Sequence, residues 1–180
     1  MRLHLVRHLA PQVAKGVCYG RTDLAVDPTL EAASLTALRQ MLPSAVPVYT
    51  SPLRRCASLA TALQPLARVD PRLAELDFGA WEMQRWDDIA RADIEAWAAD
   101  LVHYRPGGGE SVFAMAERID AFYNDLLGQQ LPEAIVICHA GSMRLLAARQ
   151  RGLDPLCMAR AAAEQPHAIG YGQVIVIDCV

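Results

Sequence analysis

The sequence lacks long apolar runs, cysteine pairs, blocks of like charge and internal repeats, and each absence removes a class of protein. No uninterrupted apolar stretch approaches the roughly 20 residues that a membrane helix needs. Met1 leads directly into a strand-like run, without an apolar leader and cleavage site. A cytoplasmic protein with no membrane partner is expected. The cysteines Cys18, Cys56, Cys138, Cys157 and Cys179 are odd in number and show no C-x-x-C spacing. Three of them fall inside apolar patterns, where a free thiol behaves as a small hydrophobe, so reduced structural thiols are expected. A net charge of −3 argues against a broad nucleic-acid surface and leaves room for a focused positive pocket that takes a small anion. His4 and His8 share strand parity, but four residues of strand set them roughly 13 Å apart, too far to share an ion. No pattern in the chain points to a metal or another cofactor.

What is present is a chain of 180 residues, 53% hydrophobic and 21% charged, suited to one domain over residues 1–180. Residues 2–7, 46–50, 134–138 and 173–179 read as short, nearly continuous apolar strands of the kind buried on both faces. Helix-length segments lie between them at 29–42, 52–66, 86–100, 111–128, 142–151 and 155–163. Ser51-Pro52 and Asp154-Pro155 each set a capping side chain before a proline, Ser111 and Ser142 are further candidate caps, and Gly152 is a stop signal. This alternation predicts an α/β fold: a three-layer sandwich with a mostly parallel central sheet and helices on both faces. Residues 70–110, Trp-rich and then turn-rich, read as a small helical cap insertion over one sheet edge, or else as an ordinary crossover helix with long loops.

Ligands of open α/β sheets bind outside the carboxyl ends of the strands. Three of those ends carry chemistry: Arg7-His8, the run Thr50-Ser51-Pro52-Leu53-Arg54-Arg55, and His139-Ala140-Gly141-Ser142. Brought together, two imidazoles and two arginines would meet beside helix N-termini whose N–H groups also favour an anion. A phosphate pocket is the expectation.

The motifs occur in a fixed order: R-H at the first strand, S-x-L-x-R-C, L-x-E-x-x-x-G-x-W-E, P-G-G-x-E-S, and an apolar strand ending in H-A-G. Together they resemble the histidine phosphatase superfamily, with its phosphoglycerate-mutase-like fold. The resemblance implies a metal-independent phosphomonoester hydrolase that works through a phosphohistidine. His8 would be the nucleophile, Arg7 and Arg55 would grip the phosphoryl oxygens, and His139 and the adjacent Ala140 would lie against them. Arg55 is preferred to Arg54 because S-x-L-x-R sets the ligand four residues after Ser51. Glu75 would give the leaving group its proton and later activate water, with Glu82 in a supporting role. The chemistry suits the residues: a neutral imidazole is a competent nucleophile near pH 7, and arginine forks match the spread charge of a transferring phosphoryl group.

Departures narrow the choice of branch. The family start R-H-G-E-T-x-x-N is R-H-L-A-P-Q-V-A here, so Leu9 stands for its glycine and Ala14 for its phosphate-contacting asparagine, unless that contact is displaced. The following segment resembles the loop of the α-ribazole phosphatases and their broad-specificity relatives, with Tyr19, Gly20 and Asp23 in matching places. Arg21 either replaces lost positive charge or belongs to a glycine turn leading to Asp23. A small phosphorylated metabolite is the expected partner, α-ribazole 5′-phosphate a candidate, and the chain a monomer or homodimer. The alternatives are a phosphoglycerate-mutase-type phosphotransferase, whose closing segments a chain this short has little room for, and a non-catalytic phospholigand-binding domain. His4 is expected to be structural, His167 to approach the pocket rim, and Trp81, Trp86 and Trp97 to pack the inserted helix.

Overall fold

The computed structural model describes residues 1–164 and 168–179; His167 lies outside them. The strands are β1 (Arg2–Arg7), β2 (Val48–Thr50), β3 (Arg68–Val69), β4 (Glu133–Cys138) and β5 (Val174–Asp178). They form one sheet in the order β3-β2-β4-β1-β5, parallel except for β5, which runs antiparallel to β1. The helices are α1 (Pro28–Met41), α2 (Arg54–Leu63), α3 (Arg91–Ala99), α4 (Val112–Gly128), α5 (Ala140–Gln150) and α6 (Pro155–Glu164). None of them is long and apolar enough to cross a membrane.

The period of two along each strand sends its side chains alternately to two cores. Leu3 and Leu5 of β1, with Ala134, Val136 and Cys138 of β4, pack on the face covered by α4, α5 and α6. Val6, Ile135 and Ile137 point the other way, onto Leu38 of α1 and Cys56, Leu59 and Ala60 of α2. The three-layer α/β architecture follows from continuous apolar strands that need both faces covered.

Several local expectations are corrected. β2 is shorter than 46–50, and β3, two exposed residues without an apolar pattern, pairs only because the chain returns beside β2. β5 is an edge strand, half open to solvent and not buried on both faces. Ser51 does not cap a helix at Pro52: its N–H continues the sheet to Ile137, and α2 begins at Arg54 with no side-chain cap. Ser142 lies inside α5, whose N-cap position is His139. The helix expected at 86–100 breaks at Ile89, which turns extended to bury its side chain, leaving a 3₁₀ turn at Trp86–Asp88 and then α3. Ser111 does cap α4, accepting from the Ala114 N–H, and Asp154 caps α6 through Cys157. Residues 70–110 carry a separate small core in which Cys18, Trp81 and Ile89 are buried against Phe78, Trp86, Trp97 and Tyr104.

Candidate active site

Parallel pairing of β1 and β2 with β4 brings the three loaded strand ends to one edge of the sheet. The His8 N–H donates to the Cys138 carbonyl at 3.0 Å, extending the ladder one step beyond Arg7 and fixing the backbone of the exit. His8, Ser51, Arg55 and His139 are all almost fully buried there, and the two imidazole rings lie 5.0 Å apart.

The His8 ring has one assignable tautomer. Its Nδ1 is 2.7 Å from the Leu9 carbonyl, which only accepts, so Nδ1 carries the proton and the lone pair is on Nε2. Burial, then the positive charge of Arg55, lowers the His8 pKa to about 3 against the pull of the Leu9 carbonyl. The free nucleophile is therefore neutral at physiological pH. His139 is pushed well below the usual histidine range by burial first, then by His8 and Arg55; its Nε2 is 2.8 Å from the Ser51 hydroxyl.

This arrangement has a measurable consequence. Both imidazoles take up protons near pH 6.5 when the chain unfolds, whereas in the fold they resist protonation well below that value. The unfolded state thus binds more protons between about pH 3, where His8 titrates in the fold, and about pH 6.5, so stability rises with pH across that window. Denaturant unfolding followed from pH 4 to 7 is expected to show this rise, with a shallower slope in His8→Ala; equal slopes would contradict the assignment.

The two arginines are held differently. Arg55 gives Nη1 to the Thr22 carbonyl at 2.8 Å and Nη2 to the Gly20 carbonyl at 2.5 Å. Arg7 gives Nη1 to the Ile169 carbonyl at 2.5 Å, and its guanidinium lies 4.0 Å from the centroid of Tyr171. Both Nε atoms are buried and make no hydrogen bond among the described residues. Two fixed cations with spare buried donors suit an anion with several oxygens.

Glu75 reaches the site from the loop after β3. Its carboxylate accepts from the Leu76 N–H at 3.1 Å and from the Gly141 N–H at 3.2 Å, so it sits on the first turn of α5. There it faces a cavity of about 640 Å³ whose wall includes Arg7, His8, Tyr19, Arg55, Ala140 and Arg144. Most of the remaining wall is apolar, with Phe78, Trp86, Trp97 and Met115 prominent. Trp86 and Trp97 are stacked with an interplanar angle of 8°, so these two, unlike the buried Trp81, both pack the inserted segment and border the cavity.

The structure does not bring every expected residue to that wall. Glu82 lies behind the loop of residues 20–22, accepting from the backbone N–H groups of Gly20, Arg21, Thr22 and Phe78 and from the Thr22 hydroxyl. Burial opposes its ionisation, but the Thr22 hydroxyl and those N–H groups outweigh it and hold the carboxyl below the usual glutamate range. Gly20 meets the site only through its carbonyl on Arg55; a Cβ there would lie 1.9 Å from the Leu76 carbonyl oxygen. The Arg21 side chain is half exposed, 3.7 Å from Asp77, and does not border the cavity. Arg54 is exposed and His4 Nε2 lies 3.4 Å from a Glu133 carboxylate oxygen, both away from it.

Tyr171, which carries no motif in the sequence, stands over the site. Its hydroxyl is 2.6 Å from that of Tyr19, and its ring lies 5.5 Å from His8. Only the antiparallel return of β5 beside β1 carries the turn at 170–172 over the nucleophile, where the Gly172 N–H donates to the Arg7 and His8 carbonyls.

A model of the histidine phosphatase superfamily (branch 1) matches residues 3–169. The adenosylcobalamin/alpha-ribazole phosphatase of Escherichia coli K12 is 34% identical over 95 residues, 51% of this chain and 47% of that protein. Its counterpart in Salmonella typhimurium LT2 is 32% identical over 83 residues, 44% of this chain and 41% of that one. The chain thus matches a little under half the length of these curated relatives. Among solved structures, the alpha-ribazole phosphatase of Shigella flexneri superposes with a TM-score of 0.81 at 26% identity, covering 99% of this chain and 90% of that one. A mycobacterial glucosyl-3-phosphoglycerate phosphatase gives a TM-score of 0.80 at 22% identity, covering 97% and 88%, a likeness of fold. Because the family match runs from within β1 to the turn that precedes β5, the chain belongs to the histidine phosphatase superfamily.

Proposed function

We propose that the chain hydrolyses a phosphomonoester of a small metabolite by transferring the phosphoryl group to His8. The observation that carries the reading is the bond from His8 Nδ1 to the Leu9 carbonyl. It leaves Nε2 as a neutral lone-pair donor in a cavity that also holds Arg7, Arg55 and Glu75. In the first step Nε2 forms a bond to phosphorus, the ester P–O bond breaks, and the Glu75 carboxyl gives its proton to the departing oxygen. In the second, water loses a proton to the Glu75 carboxylate, its oxygen bonds to phosphorus, and the P–N bond breaks to restore His8. Arg7 and Arg55 stabilise the charge on the equatorial oxygens throughout, with His139 as a further hydrogen-bond partner.

The apolar wall bears on the substrate. A phosphate occupies only part of 640 Å³, and the stacked Trp86 and Trp97 suit a large, planar leaving group. The matched relatives carry alpha-ribazole in their names, and α-ribazole 5′-phosphate is the candidate we favour. The test is phosphate release from that ester and a panel of other phosphomonoesters, in the presence of EDTA. Chelator-resistant release, fastest from α-ribazole 5′-phosphate, is the expected result. A retained phosphohistidine passed to a second metabolite would replace hydrolysis with a mutase reading. Binding without turnover would make the chain a phospholigand-binding domain.

A further inference from the structure

Behind the cavity lies a buried cation that the reaction above does not use. Arg118 projects from α4 into the gap between that helix and the loop that carries Glu75. Its side chain and that of Glu110 are each 14% exposed. The two form a bidentate pair, Nε to Oε1 at 2.7 Å and Nη2 to Oε2 at 2.8 Å. The rest of the guanidinium is turned on the loop: Nη1 donates to the carbonyls of Arg72 at 2.5 Å and Ala74 at 2.7 Å, and Nη2 to that of Glu75 at 3.2 Å. Glu110 is fixed in turn by its N–H, which donates to the Asp77 carbonyl at 2.8 Å.

Three carbonyls within four residues therefore converge on one group. Carbonyls only accept, and a planar fork with five N–H donors that never loses its charge can hold all three at once. A lysine ammonium would bring three donors and no fixed plane. Glu110 compensates the buried charge and sets the plane of the fork. From the other side, the Ser142 hydroxyl donates to the Leu73 carbonyl at 3.0 Å. Residues 72–75 are thus held between α4 and α5, and the Glu75 side chain leaves the end of that segment to rest on Gly141.

We propose that Arg118, aligned by Glu110, is a positioning residue for proton transfer: it fixes the backbone of residues 72–75 so that the Glu75 carboxyl stays beside the leaving oxygen. The inference rests on Glu75 as the proton donor and adds the group that aims it. A misplacement of about 1 Å in such a group costs on the order of 10²-fold in rate.

The readout is the leaving-group dependence of phosphohistidine formation, followed in single turnovers, because the second step uses Glu75 as a base whatever the ester. A nitrophenolate departs without a proton, whereas a sugar alkoxide needs one. In Arg118→Lys, the rate of phosphohistidine formation from α-ribazole 5′-phosphate or another alkyl phosphate is expected to fall about 10²-fold with substrate affinity little changed. With para-nitrophenyl phosphate, the rate of that first step should stay within about threefold, while turnover of the phosphohistidine slows equally for both esters. Glu110→Gln, which keeps the guanidinium and loosens its alignment, should show the same selectivity at about tenfold, and it serves if Arg118→Lys does not fold. Equal losses of the first step on both esters would overturn the inference. Glu75→Gln, assayed in parallel, separates the two claims. If Glu75→Gln spares that step with para-nitrophenyl phosphate and the Arg118 and Glu110 variants do not, only the positioning role fails. If Glu75→Gln itself slows phosphohistidine formation from both esters equally, Glu75 is not the proton donor and both claims fail.

Discussion

His8→Ala is expected to lower phosphate release by about 10⁴-fold or more, the scale seen when an enzyme loses its nucleophile. The loss should be accompanied by disappearance of an acid-labile, alkali-stable phosphoenzyme in quenched reactions. The effect is large because no neighbouring group can substitute. His139 is fully buried with its Nε2 on Ser51, and the Cys56 thiol is also fully buried, where desolvation pushes its pKa up and keeps it from ionising. Alanine at position 8 also leaves the Leu9 carbonyl without its donor, at a stability cost of about 1–3 kcal/mol. The variant should still fold, so inactivity can be read against an intact melting transition. Release that persists within tenfold of wild type would remove His8 from the chemistry.

Gly141→Ala gives the second large effect, and it separates activity from stability. An added Cβ at position 141 would come within 2.3 Å of Glu75 Oε1. The colliding atom is the end of a flexible side chain, so the fold can yield by swinging the carboxylate away. Gly141 has no left-handed backbone to preserve, and alanine in a helix is favoured over glycine by about 0.5–1 kcal/mol. The expected outcome is a melting temperature unchanged or raised, with kcat on an alkyl phosphate reduced about 10²-fold as proton transfer is lost. Wild-type turnover from a stable Gly141→Ala protein would show that Glu75 is not needed on α5.

Much of this geometry was legible in the order of residues because it depends on short-range rules. Leu3, Leu5 and Val6 read as a strand buried on both faces, and they are divided between the two cores. Arg7, His8, Arg55 and His139 could be gathered because parallel strands put their carboxyl ends on one edge. Elsewhere a residue does a different job from the one its local context suggests. Ser51 before a proline resembles a cap, but its hydroxyl meets His139 and accepts from the Leu53 N–H, ahead of the first turn of α2. Ser142 resembles one too, and its hydroxyl goes to Leu73. Glu82, expected in a supporting role, does its work from behind the wall, bracing a loop about 60 residues earlier in the chain. Tyr171 and Arg118 gave no signal, since a tyrosine in a glycine turn and an arginine on an amphipathic helix are ordinary until the return path of the chain is known. Periodicity reports which face is buried; contacts between distant loops are set by topology.

The place of β1 in the sheet has a further consequence for how the site comes into being. The strand that ends in the nucleophile is flanked by β4 and β5, both from the last third of the chain. During synthesis it must wait, unpaired, until β4 and β5 have emerged. Such long-range pairing slows folding and leaves an apolar segment open to misassociation in the meantime. The same delay is a safeguard. A product stalled before these strands has Arg7 and His8 but no His139 beside them and no Tyr171 above them, so the reactive imidazole is assembled only after residues more than 130 positions downstream have been made.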